Sequence, residues 1–231
     1  MATIDAVDSA SSAPRRVLGR YPLIGLVLAL LGGLFFSTLA INVRDNGPLT
    51  REDVPVSQDL HRVAEGDPAP TVNFIHGSSF YLGREFIEVS AVLLGLYWLI
   101  KRRWSELAML AIGLGGGSAW WFFFERLYNR PRPNFPDPIE TLNVGSFPSG
   151  HGISAVLFFG LLAYLIVPRL KSGAARAAVI LAALALILYV GFGRLYVGGH
   201  FLTDVLAGYA LGLGWGALVY TAVELVSRRR V

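Results

Sequence analysis

Residues 148–167 read PSGHGISAVLFFGLLAYLIV, a polar start running straight into a predominantly apolar stretch. About 20 such residues are needed to cross a hydrocarbon core of ~30 Å. The stretch therefore predicts a membrane-spanning helix whose first turn, with Ser149, Gly150 and His151, lies at a membrane surface. Pro148 suits a helix start. The unpaired N–H groups of that first turn, together with the helix dipole, favour an anion. Two further polar clusters also abut apolar runs: Arg130-Pro131-Arg132-Pro133, and Arg194 followed by His200 and Asp204.

Composition places the whole chain in the same class. Its 231 residues are 54% hydrophobic and only 16% charged, with a mean hydropathy of +0.53. Soluble domains carry nearer a quarter charged residues, so this is an integral membrane protein. The absence of cysteine excludes disulfides, thiol catalysis and cysteine-ligated metal. Six apolar runs follow one another: 21–43, 86–100, 104–127, 150–167, 176–193 and 203–226. The second is short and draws on Phe80-Tyr81-Leu82 just before it. The expected fold is all-α, a six-transmembrane-helix bundle forming one domain over residues 21–227. A disordered tail over residues 1–20 and a basic tail over 228–231 flank it. Arg15, Arg16 and Arg20 precede an apolar run that ends near a cleavage-like Thr38-Leu39-Ala40. That run is longer than the usual 7–15 residue core of a signal peptide and reads as a retained span.

Orientation follows from the basic residues. Six spans leave the N-terminal tail, the 101–103 loop, the 169–176 loop and the 228–230 tail on one side, and each contributes three of the 20 Lys and Arg residues. The positive-inside rule makes that side cytoplasmic. Arg44, Arg51, Arg62, Arg84, Arg126, Arg130, Arg132 and Arg194 fall on the other side. All three polar clusters converge on that outer face. The expected setting is a bacterial plasma membrane, crossed several times, with an extracytoplasmic site. The longest polar segment, 44–85, reads as a partly helical outer loop with short helices at 59–63 and 73–76. It is either a solvated cap or a lid contacting lipid through Phe74, Ile75, Phe80 and Tyr81.

The clusters suit phosphate chemistry. Cleaving a phosphate ester requires positive groups around the equatorial oxygens, an in-line nucleophile and an acid for the leaving oxygen. Arg132 and Arg194 present planar forks that match phosphate. Ser149 adds a hydroxyl. His200 and Asp204 are four residues apart and share a helix face if a helix begins near His200. Asp204 then holds one imidazole nitrogen protonated and leaves the other free to attack phosphorus.

Together these residues resemble the type 2 phosphatidic acid phosphatases, which share their site with vanadium haloperoxidases. That family carries Lys-(six residues)-Arg-Pro, Pro-Ser-Gly-His, and Ser-Arg-(five residues)-His-(three residues)-Asp. The second motif is intact at 148–151. The third runs from Gly193 to Asp204, with Gly193 where the family has Ser. The first ends at Arg132-Pro133, but Glu125 stands at the Lys position. The resemblance covers about residues 100–220 and the six-span layout. It implies that Arg132, Ser149, the Gly150 N–H and Arg194 bind the phosphoryl oxygens. It implies that His200 forms a phosphohistidine and Asp204 orients it, while His151 protonates the leaving lipid oxygen and then activates water. No metal or other cofactor is expected, and no nucleic acid partner. The partners are a lipid phosphate and the bilayer. Arg126 or Arg130 is the candidate for supplying the charge missing at Glu125. Candidate substrates are undecaprenyl diphosphate, phosphatidylglycerol phosphate and phosphatidic acid, with outward orientation favouring the first. A lipid phosphotransferase and a non-catalytic lipid-phosphate binder remain the alternatives.

Overall fold

The computed structural model describes residues 17–136, 138–139 and 144–228, so most of the tail expected over 1–20 and residues 229–231 lie outside the described residues. Among the described residues every regular element is helical. They are α1 (Val17–Arg20), α2 (Pro22–Asp45), α3 (Asp53–Gly66), α4 (Ala69–Gly83), α5 (Glu85–Ile100), α6 (Trp104–Tyr128), α7 (Gly150–Ile166), α8 (Gly173–Tyr196) and α9 (Leu202–Arg228). Short 3₁₀ turns follow α2, at Pro48–Thr50, and α7, at Val167–Arg169.

Five of these elements are long and apolar enough to cross a membrane: Pro22–Asp45, Trp104–Tyr128, Gly150–Arg169, Gly173–Tyr196 and Leu202–Arg228. The run expected as the second span is α5, with 16 residues. At 1.5 Å per residue it reaches about 24 Å, short of the core thickness. Phe80-Tyr81-Leu82 does not extend it. Those residues end α4, and the backbone breaks at Arg84 (φ −135°, ψ −79°). The 44–85 segment is also more helical than expected, because α3 and α4 run for 14 and 15 residues.

The bundle is organised around α9, which packs against α2, α6 and α7. Of its most apolar 18 residues 61% are buried, against 11% for α8, so α9 is the axis and α8 a wall. Small residues allow this. A Cβ on Gly32 of α2 would come within 2.7 Å of the Gly214 backbone of α9, an approach that only glycine permits. Tyrosines tie the helices together: buried Tyr220 donates to the Leu157 carbonyl and half-buried Tyr209 to that of Ile187, both at 2.8 Å. Large aliphatic side chains such as Leu23, Leu30, Val92, Leu181 and Leu188 point outward and stay exposed, as a lipid-facing surface requires. On the other side of the bundle α4 lies along α8 and touches α7, and α3 reaches α8 and α9.

Candidate active site

The site forms where the N-termini of α7 and α9 meet. Ser149 caps α7, its side chain accepting from the Gly152 N–H at 3.4 Å, as expected of a serine at that position. Its own N–H donates to the Asp204 carbonyl at 3.0 Å. Gly208 makes this possible, since a Cβ there would lie 2.5 Å from the Ser149 carbonyl oxygen. The two helix starts are thus joined backbone to backbone.

His200 sits in the turn between α8 and α9. Gly198 enters that turn at φ +72°, a conformation glycine adopts without strain. The N–H groups of Gly199 and His200 both donate to the Arg194 carbonyl, at 3.0 and 3.2 Å. The imidazole is buried. Its Nδ1 lies 2.8 Å from the Ser146 carbonyl oxygen and 3.7 Å from Asp204 Oδ2. A carbonyl only accepts, so Nδ1 carries the proton and Nε2 keeps its lone pair. Nε2 faces Arg132 Nη1 at 3.3 Å. Burial pushes the His200 pKa below its ordinary value; the Asp204 carboxylate opposes this, and Arg132 adds to the lowering.

Asp204 is fully buried. One oxygen accepts the Phe201 N–H at 2.9 Å and the other Arg130 Nη1 at 2.6 Å. Arg130 also donates to Thr203 Oγ1 (2.9 Å) and, through Nη2, to Asp53 Oδ2 (2.7 Å). Asp53 in turn accepts the Thr203 N–H at 2.9 Å and its hydroxyl at 2.6 Å. Asp53 escaped sequence reasoning. It begins α3, in a segment without motifs, and no local pattern marks it.

Arg132 is held by backbone carbonyls: Nε donates to Val144 at 2.9 Å and Nη2 to Gly145 at 3.1 Å, and Nη1 also donates to Gly199. Arg194 is buried; its Nη2 donates to Ser79 Oγ at 3.0 Å and to the His76 carbonyl at 3.2 Å. The Phe80 ring lies 5.2 Å from the Arg194 guanidinium carbon and 5.0 Å from the His151 ring. His151, in the first turn of α7, has a buried Nε2 without a hydrogen-bond partner among the described residues. Arg194, His200, Arg84 and Arg132 all lie within electrostatic reach of it. Gly150 adjoins the Trp121 indole, which a Cβ there would approach to 3.1 Å.

The structure thus gathers Arg132, Ser149, Gly150, His151, Arg194, His200 and Asp204 at one end of the bundle. Arg130 joins them with its charge shared between two carboxylates. Arg126 does not join them, because its exposed guanidinium lies over the Phe122 ring at 3.8 Å. Glu125 Oε1 turns toward the loop and accepts the Gly145 N–H at 2.6 Å.

The chain is similar to known proteins. Over 209 residues the chain is 30% identical to phosphatidylglycerophosphatase B of Bacillus subtilis strain 168, covering 85% of this chain and 95% of that protein. A shorter match, 37% over 78 residues, joins 34% of this chain to 29% of the lipid A 1-phosphatase of Rhizobium etli. Among solved structures, the transmembrane PAP2-type phosphatidylglycerolphosphate phosphatase from Bacillus subtilis superposes with a TM-score of 0.72 at 27% identity, over 83% of this chain and 93% of that one. The PAP2 superfamily model matches residues 104–228, which span α6 to α9 and hold every cluster described. The chain belongs to the PAP2 superfamily.

Proposed function

We propose that this protein is an integral membrane lipid phosphatase that removes a terminal phosphate from a lipid phosphate at the extracytoplasmic face, without a metal, through a phosphohistidine. The observation that carries this reading is the placement of His200 between the Ser146 carbonyl and Arg132. Its Nδ1–H is committed to Ser146, so the Nε2 lone pair faces Arg132, where a phosphoryl group would be held.

In this mechanism Arg132, Arg194, the Ser149 hydroxyl and the Gly150 N–H hold the phosphoryl oxygens at the start of α7. His200 Nε2 attacks phosphorus, and the bond to the lipid oxygen breaks with its electron pair leaving on that oxygen. The proton it needs comes from His151, whose buried Nε2 has no hydrogen-bond partner among the described residues. In the second half His151 takes a proton from water, the hydroxide attacks phosphorus and the P–N bond breaks. Phosphate and neutral His200 are released. The Asp204 carboxylate, 3.7 Å from Nδ1, stabilises the positive imidazole formed between the two steps. Water as acceptor makes this hydrolysis; a second lipid in its place would make it phosphoryl transfer.

Six spans, with α5 as the short second one, and cytoplasmic termini accord with the basic-loop distribution. The packing of α9 against α2 as well as α6 and α7 supports a single domain over 21–227. For the substrate, the long match to a phosphatidylglycerophosphatase favours phosphatidylglycerol phosphate over undecaprenyl diphosphate. The test is phosphate release by purified protein from phosphatidylglycerol phosphate, undecaprenyl diphosphate and phosphatidic acid, with and without a chelator and without a lipid acceptor. Release that persists with chelator supports the reading. Loss of activity on chelation contradicts the metal-free mechanism, and dependence on an added acceptor lipid assigns transfer instead.

A further inference from the structure

Arg194 is anchored by a helix that carries no motif. Ser79 of α4 is completely buried. Its hydroxyl donates to the His76 carbonyl at 3.2 Å and accepts from Arg194 Nη2 at 3.0 Å, which uses its single proton and one lone pair consistently. The same Nη2 also reaches the His76 carbonyl, so the guanidinium, the hydroxyl and the end of one helical turn form a closed triangle. This contact depends on the residue preceding Arg194. A Cβ on Gly193 would lie 2.1 Å from Ser79 Oγ and 2.2 Å from Ser79 Cβ, distances no packed pair of side chains tolerates. Glycine at 193 is therefore what lets α4 press its serine onto the arginine. The family pattern has a serine at the position of Gly193; here a serine hydroxyl enters the same space from α4.

We propose that Ser79 is a positioning residue of the phosphate site, fixing the Arg194 guanidinium, and that Ser79 and Gly193 form an interdependent pair. The proposal rests on the reading of Arg194 as a phosphoryl ligand. A hydrogen bond to a charged group contributes enough that its loss weakens ligand binding about tenfold. Because Arg194 holds the phosphate before and during the reaction, the loss falls mainly on KM rather than kcat.

The experiment compares full-length wild type, Ser79→Ala, Gly193→Ser and the double variant Ser79→Gly/Gly193→Ser in detergent. It measures kcat and KM for lipid phosphate and the inhibition constant of inorganic phosphate. Ser79→Ala is expected to raise KM and weaken inhibition by phosphate about tenfold, with kcat changed less. Gly193→Ser alone forces α4 away and loses most activity. The double variant returns the hydroxyl from the α8 side and recovers phosphate inhibition to within a few-fold of wild type. Unchanged KM and phosphate inhibition in Ser79→Ala overturn the proposal, as does a double variant no better than Gly193→Ser. Wild type that releases no phosphate from any lipid phosphate overturns the phosphatase reading itself, which is a different result.

Discussion

Glu125 Oε1 accepts a 2.6 Å hydrogen bond from the Gly145 N–H, and the Gly145 carbonyl receives Arg132 Nη2 at 3.1 Å. A carboxylate at the family's lysine position therefore reaches the proposed phosphate site indirectly, by fixing the strip of backbone on which Arg132 rests. The side chain acts as an acceptor there, and an acceptor does not have to be charged. Glu125→Gln should keep kcat/KM near wild type. Glu125→Ala leaves the Gly145 N–H without its partner and should lower kcat/KM about tenfold, since an unmade buried hydrogen bond costs about 1–3 kcal/mol. Arg126→Ala should change activity by about twofold at most, as substitutions on an exposed surface do. Phosphate release by the three variants gives the order; a loss larger for Arg126→Ala than for Glu125→Ala would restore Arg126 as the compensating charge.

Asp53 joins α3 to the start of α9 through Thr203 and Arg130. Removing one partner of a buried ion pair destabilises by about 3–5 kcal/mol. Asp53→Ala should lower the melting temperature in detergent clearly. Combined with Arg130→Ala it should cost less than the sum of the two, because they share one network. Additive melting shifts would show that the two residues act independently.

Acid should act through His200. Burial lowers its pKa from the ordinary value of 6.5, so the folded protein binds a proton there less readily than the unfolded chain does. The associated stability is present above about 6.5 and is lost as pH falls from there through the folded value. In the proposed mechanism the neutral ring is also the form that attacks. The acid limb of the kcat/KM profile is therefore expected below the ordinary imidazole value, and a limb at or above 6.5 would contradict the assignment.

His200→Ala should abolish phosphate release and any acid-labile, base-stable phosphoprotein formed from radiolabelled substrate. His151→Ala loses the acid and the base, and should slow turnover by about 10²–10⁴-fold while still accepting the label. Labelling of His200→Ala would remove it as the nucleophile.

Arg132, His151, Arg194 and His200 were legible through their motifs, and Ser149 and Asp204 also through partners close along the chain. Ser149 caps the helix it starts, and Asp204 caps α9 through the N–H of Phe201, three residues back. Their motifs carry their own geometry. Asp53 and Ser79 were not legible, because they meet Thr203 and Arg194 across 150 and 115 residues of chain. Only the packing of α3 and α4 brings them there. The helical class followed directly from composition. The break at Arg84 did not: an apolar stretch preceding a short span reads as its extension, although Gly83 stands directly before the bend.

The close approach of Gly208 to the Ser149 carbonyl sets the start of α7, which carries His151, directly against the start of α9, which follows His200, as one block. Arg194 belongs to a different kind of construction, a seam stitched to α4 by one hydroxyl and one carbonyl. On the proposed roles, sequence change along that seam retunes which headgroup is held, while the chemical step, placed in the block, stays as it is.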